Sequence, residues 1–184
     1  LTALSWITIA IFGSLPFIFS DLEMSVTDSF FESMSGITTT GSTVISNLNE
    51  APKSILFWRA TLQWLGGIGI ILMAITLMPI MNVGGMQIFK VSSIDAAEKI
   101  LPKFKEVSSR LIIIYSCLTI LCAFFYKLFG MGIFDSLTHS MTTIATGGFS
   151  NYNESLGYFD SYLIENTTII FIISGSIPFI TYIK

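Results

Sequence analysis

Two short runs hold the atoms best able to do chemistry, Thr38-Thr39-Thr40-Gly41 and Ala145-Thr146-Gly147-Gly148. What they offer is backbone oxygen. Carbonyl groups gathered around one axis can replace the hydration shell of a passing ion. They can all aim inward only if the backbone adopts unusual torsions, a demand that Gly41 and Gly148 relieve. Gly147 adds freedom to the second run that no residue adds to the first. The apolar spans contain no carboxylate pair and no nucleophile with a base, so an enzyme reading fares poorly. Metal-ligand clusters are absent from the sequence, and Gly66-Gly-Ile-Gly69 lacks the lysine of a phosphate loop.

These oxygens must be positioned by the segments before them. Asp28 to about Ile37 suits a short helix, with Asp28 as N-cap and Phe30, Phe31, Met34 and Ile37 at spacings of three and four. Ten residues reach only about 15 Å, half of a roughly 30 Å bilayer core. The segment therefore dips into the membrane, and the chain returns along a strand starting at Thr38, expected to be extended. The helix C-terminus, at mid-membrane, carries about half a negative charge from its aligned peptides and favours a cation. Asp28 sits at the opposite, positive pole. Laying residues 135–148 on 28–41 at a constant offset of 107 gives seven identities in fourteen positions: Asp28/Asp135, Ser29/Ser136, Ser33/Ser140, Met34/Met141, Ile37/Ile144, Thr39/Thr146 and Gly41/Gly148. Chance gives roughly one, so the chain contains an internal repeat. Asp135 is then the second N-cap, and 145–150 the second return strand. Alone, either motif would read as an ordinary helix-ending loop at the membrane surface; the matched pair between paired spans reverses that reading.

Composition sets the solvent. With 52% apolar and 11% charged residues and a mean hydropathy of +0.75, the chain is built for lipid. Charges are missing from 1–20, 60–89, 111–126 and 166–183, leaving four spans of roughly 20 residues. The expected fold is an all-α membrane protein with two tandem span–pore loop–span repeats and re-entrant half-helices, divided as 1–89, a linker 90–110, and 111–184. The second span runs from Ser54 to about Met81, the fourth from Tyr162 to Ile183. Gly66, Gly67 and Gly69 let another backbone approach the second span closely. Arg59 can snorkel or pair with an acid of the patch Asp21, Glu23, Asp28 and Glu32, which is placed at or outside one membrane face. Lys90, Lys99, Lys103, Lys105 and Arg110 make the linker cytoplasmic and put the pore-loop mouths outside. A net charge of −3 argues against nucleic acid as a partner. Cys117 and Cys122 read as packing residues, and His139 as a hydrogen-bonded packing residue rather than a proton relay.

Four motifs then stand in order: Phe30-Phe-Glu-Ser-Met-Ser-Gly-Ile-Thr-Thr-Thr-Gly41, Gln63-Trp-Leu-Gly-Gly-Ile-Gly69, Gly84-Gly-Met-Gln87 and Ala145-Thr-Gly-Gly-Phe-Ser150. Over nearly its whole length the chain resembles the first half of the TrkH family, the pore-forming subunits of bacterial Trk potassium uptake systems in the Trk/Ktr/HKT superfamily. The resemblance implies four repeats around one pseudo-fourfold, channel-like pore in the inner membrane. It implies a filter in which Gly41 and Gly148 are two of four glycines, built here from Thr38, Thr39, Thr40, Gly41 and Ser42 with Ala145, Thr146, Gly147, Gly148 and Phe149. Potassium is the transported ion, with no covalently bound cofactor. A ring of nucleotide-binding regulatory subunits is the cytoplasmic partner, which the linker 90–110 helps contact. Two filter strands make half a ring. The expectation is that the native chain continues past Lys184; the alternatives are a homodimer of two-repeat chains or a non-conducting remnant. A gradient-coupled solute carrier is the competing function, disfavoured because both repeats run the same way and the spans hold no acid.

Overall fold

The structure is a computed structural model that describes residues 2–77, 95–178 and 181–182. Its described residues form helices α1 (Thr2–Ile18), α2 (Val26–Ile37), α3 (Lys53–Leu77), α4 (Asp95–Leu128), α5 (Ile133–Ile144) and α6 (Tyr162–Ser176), with short 3-10 turns at Leu48–Glu50 and Ser155–Phe159. There is no strand among them. A long, a short and a long helix therefore follow one another twice.

Within α3 and α4, Lys53–Met73 and Glu106–Leu128 are long and apolar enough to cross a membrane; α1 contains a shorter apolar stretch. The fourth expected span is shorter than its apolar run. α6 has 15 residues and stops at Ser176, because Pro178 forces Ile177 into an extended conformation, ψ 134°. Where it is described, the segment expected as a linker is helical: α4 is a single helix of 34 residues that begins at Asp95 and passes through position 110 without a break. Arg110 meets Glu106 one turn earlier at 2.6 Å on its surface. Residues 90–94 with Lys90, the Gly84–Gln87 motif and the expected helix ends at Met81 and Ile183 lie outside the described residues.

Polarity is arranged for lipid. Large apolar side chains such as Phe12, Ile113, Ile120, Phe124, Ile170 and Ile173 are exposed on the long helices, while Ser29, Glu32, Ser33, Arg59, Gln63, Thr138, His139 and Ser140 are buried. In water this would present a continuous apolar surface; facing acyl chains it needs no partner. One apolar cluster joins α4, α5 and α6 through Leu111, Tyr115, Cys122, Tyr126, Ile144, Ile164 and Phe171. A second joins α1 to α3 through Phe17, Ile55 and Leu62. Of the two cysteines, Cys122 is buried in the first cluster and Cys117 is exposed.

The expectation of close backbone approach at the α3 glycines is met where the short helices end. A side chain at Gly66 would collide with the Ile37 carbonyl oxygen at the end of α2, and one at Gly67 would crowd Ala145 just past α5. Gly69 meets nothing closer than Trp6 at 3.5 Å. α6 repeats the arrangement with Gly175, whose added Cβ would lie 2.7 Å from the Ile144 carbonyl oxygen. Both short helices thus have their last carbonyls pressed against a glycine of a longer helix.

Candidate ion-binding loops at the ends of two short helices

The short helices start two residues earlier than expected, and neither aspartate is an N-cap. Ser25 caps α2: its hydroxyl accepts from the Asp28 amide at 3.1 Å and donates to the Asp28 carboxylate at 2.7 Å. This is half of a capping box: the acid stands at the third helical position, but it reaches back to the Ser25 hydroxyl rather than to the Ser25 backbone amide. Gly132 caps α5, again putting Asp135 third. Both carboxylates keep the favourable first-turn position against the helix dipole. That of Asp135 also accepts from the Asn151 amide at 2.8 Å and the Tyr152 hydroxyl at 3.2 Å.

The return segments differ from the expected extended strands at their first residues. At the end of α2 the Thr39 amide bonds to the Gly36 carbonyl and the Thr40 amide to the Ser35 carbonyl, with Thr39 left-handed at φ 57°. At the end of α5 the Thr146 amide bonds to Thr143 and the Gly147 amide to Thr142, with Thr146 at φ 52°. Both are Schellman motifs, which satisfy the orphan carbonyls of a helix end and usually place glycine where threonine stands here. A β-branched residue in that conformation costs about 1–2 kcal/mol. Two residues on, the chain is left-handed again at Gly41 (φ 80°) and Gly148 (φ 82°). Thr39 and Thr146 were identical in the aligned copies, but that identity did not mark them as strained.

Left-handed residues two apart undo the alternation of carbonyl directions along the chain. Among the described residues, no hydrogen bond reaches the carbonyls of Thr38, Thr39, Thr40 and Gly41, nor those of Ala145, Thr146, Gly148 and Phe149. The other two carbonyls of the expected set are engaged. Ser42 accepts from the Ser35 hydroxyl at 2.6 Å, and Gly147 accepts from the Gln63 amide at 2.9 Å. The loops also touch one another, since a side chain at Gly41 would collide with the Gly147 carbonyl oxygen.

Three residues of α2 and α3 hold this geometry. Glu32, an acid of the patch that Arg59 was expected to pair with, is fully buried in the protein at 0% exposure and meets Arg59, 1% exposed, at 2.7 Å. It also accepts from the Thr43 hydroxyl at 2.9 Å and the Val44 amide at 3.0 Å, so its lone pairs are used. The acid is thus supplied with donors, as a buried ion pair requires, while Nη2 of Arg59 is buried with no hydrogen-bond partner among the described residues. Arg59 reaches across to the second loop, donating to the Ser150 carbonyl at 2.8 Å and lying 4.1 Å over the Phe149 ring. Gln63 donates to Gly147 and accepts from the Phe149 amide at 3.1 Å. The first loop is thus tied to its own helix by Glu32, and the second to α3.

His139 occupies the position aligned with Glu32, and Ser150 the position aligned with Thr43. One His139 ring nitrogen lies 3.1 Å from the Ser150 hydroxyl and the other 2.9 Å from the Asp135 carbonyl oxygen. The ring stacks on Tyr152 and meets Phe159 edge-on, which is the packing role expected of it. Behind it, a cavity of about 140 Å³ runs between Thr142, Thr146, Gly148 and Thr168. Pairing of Arg59 with an acid of the patch was among the expectations and is met by Glu32; the ties of Arg59 and Gln63 to the second loop are what sequence reasoning missed. The available signal was a charge or amide standing in an otherwise apolar helix.

Helices apolar outside and polar within, converging on loops that present free carbonyls, define a helical membrane protein. Over residues 1–184 the chain matches the TrkH family model, described as a cation transport protein, and it belongs to that family. It is 45% identical over 182 residues to the Trk system potassium uptake protein TrkH of Vibrio parahaemolyticus, covering 97% of this chain and 38% of that protein. It is 44% identical over 179 residues to TrkH of Escherichia coli K12, covering 95% and 37%. With TrkI of Halomonas elongata it shares 40% over 185 residues, covering 100% and 38%. The crystal structure of the potassium transporter TrkH from Vibrio parahaemolyticus superposes with a TM-score of 0.81 at 46% identity, over 92% of this chain and 34% of that one. The chain therefore spans under two-fifths of the length of these relatives.

Proposed function

We propose that the chain supplies two of four span–pore loop–span repeats to a potassium-translocating membrane subunit of the Trk type, with 38–42 and 145–149 as half of its selectivity filter. The observation that carries this reading is the pair of loops at the C-termini of α2 and α5. Each is left-handed at two residues two apart and leaves four carbonyls without donors among the described residues, in a chain of this family. On this reading α2 and α5 are re-entrant half-helices, and potassium is cargo stabilised by backbone dipoles rather than by side-chain charge. The rest of the ring comes from a longer chain, as the length of the relatives supports, or from a second copy. The protein lies in the bacterial inner membrane with the pore-loop mouths outside. The segment 90–110 lies in the cytoplasm, where a nucleotide-binding regulatory subunit docks.

The test uses the complete protein, comparing rubidium and sodium uptake with and without Gly148→Ser. That position has free space for a side chain and strains only the backbone, so the variant should assemble and admit more sodium relative to potassium. An unchanged ratio, or solute-dependent transport indifferent to potassium, refutes the reading.

A further inference from the structure

We propose that Gln63 is a positioning residue for ion selection: from α3, its amide sets both peptide planes flanking Gly148 and so decides which carbonyls of the second loop face the ion. The inference rests on the reading of 145–149 as filter.

The side chain is fully buried, and both functions of its amide are used on one stretch of backbone. Nε2 donates to the Gly147 oxygen at 2.9 Å and Oε1 accepts from the Phe149 nitrogen at 3.1 Å. Only this amide orientation fits, because the reverse would set oxygen against oxygen. The Gly147 carbonyl belongs to the peptide preceding Gly148, and the Phe149 amide to the one following it. Each peptide is planar and trans, so fixing one atom of each fixes the turn of both planes. With the Phe149 N–H aimed at Gln63, the Gly148 carbonyl on the same plane must point away from α3. The Gly147 carbonyl points toward α3 and is withdrawn from any ion. Gly147 itself is pressed onto the amide, since a side chain there would collide with Gln63.

The first loop has no such clamp among the described residues. Thr40, aligned with Gly147, keeps its carbonyl free of donors. The two loops therefore offer unlike sets of oxygens: Gln63 takes the Gly147 carbonyl of the second loop, and the Ser35 hydroxyl takes that of Ser42 in the first.

The experiment uses the complete protein in proteoliposomes equilibrated to the same pH on both sides, reading rubidium and sodium uptake at matched protein content. Gln63→Leu should lower the rubidium-to-sodium ratio about tenfold, the loss expected for two hydrogen bonds in a buried site, and raise the KM for potassium. Gln63→Glu keeps the shape and changes only the donor. Its ionised carboxylate cannot donate to Gly147, whereas the protonated acid offers one donor and one acceptor as the amide does. That variant should discriminate poorly at about pH 8 and recover toward the unmodified ratio at about pH 5. The unmodified protein and Gln63→Leu should each hold a constant ratio across the two. If Gln63→Leu does not accumulate, the isosteric Gln63→Glu alone decides by its pH dependence. A ratio indifferent to pH in Gln63→Glu, alongside a changed ratio in Gly148→Ser, overturns the role of Gln63 and leaves the filter intact. Unchanged ratios in all these variants overturn the filter reading and this inference with it.

Discussion

Gly41 and Gly148 share a backbone conformation and differ in what surrounds them, so alanine at each separates two effects that glycine normally conceals. Their φ angles are 80° and 82°, and the torsional cost of an L-residue there is about 1–2 kcal/mol in both cases. At Gly148 that is the whole cost, because a Cβ would find nothing within 4 Å. At Gly41 the new methyl would collide with the Gly147 carbonyl oxygen, which the Gln63 amide holds in place. Forcing a well-packed contact apart typically adds about 1–3 kcal/mol. Gly41→Ala should therefore destabilise by about 2–5 kcal/mol and Gly148→Ala by about 1–2 kcal/mol. The comparison is made on the complete protein in detergent, by the midpoint of thermal loss of monodisperse material, with unmodified protein alongside. Since the collision also disturbs the second loop, Gly41→Ala should lower rubidium uptake more than Gly148→Ala at equal membrane abundance. Equal midpoints for the two variants, or a lower one for Gly148→Ala, would refute the claim that the loops press on each other.

Removing one partner of the buried pair, by Arg59→Met or Glu32→Gln, should cost about 3–5 kcal/mol; the double variant should be milder than the sum of the two, read as a double-mutant cycle of melting midpoints. Tyr126→Phe removes a hydroxyl within 2.8 Å of Thr143 and 2.7 Å of Thr168, which should cost about 1–3 kcal/mol in the same assay. Gly66→Ala should block the seating of α2 on α3 and abolish accumulation in the membrane. Gly69→Ala, with its nearest neighbour at 3.5 Å, should accumulate normally on a membrane immunoblot.

Much of the helix plan was legible because apolar runs without charge and short polar stretches leave different marks in a sequence. The capping detail was not. Asp28 looks like a cap by residue type, yet Ser25 stands three residues earlier and its hydroxyl takes the cap, which places the aspartate inside the helix. The return segments were legible in their glycines and not in Thr39 and Thr146, because threonine argues for extended backbone by propensity, and here the helix-end hydrogen bonds prevail over it. The full burial of Glu32 was hidden for a related reason. Arg59 was a legible partner for the patch, but nothing in the sequence singled out Glu32 among its four acids as the one that pairs with it. α6 fell short because hydropathy does not register where a proline ends a helix.

The ties from α3 also impose an order on assembly. Gln63 and Arg59 precede the carbonyls they hold by 84 and 91 residues, while Glu32 and its loop partners at 43 and 44 lie within the earlier stretch. During synthesis and insertion the first loop can close as soon as α3 is in place. The second loop then emerges opposite a set of donors already standing. Its conformation is copied onto it by a finished surface, so an error in α3 is inherited by a segment that is correct in itself.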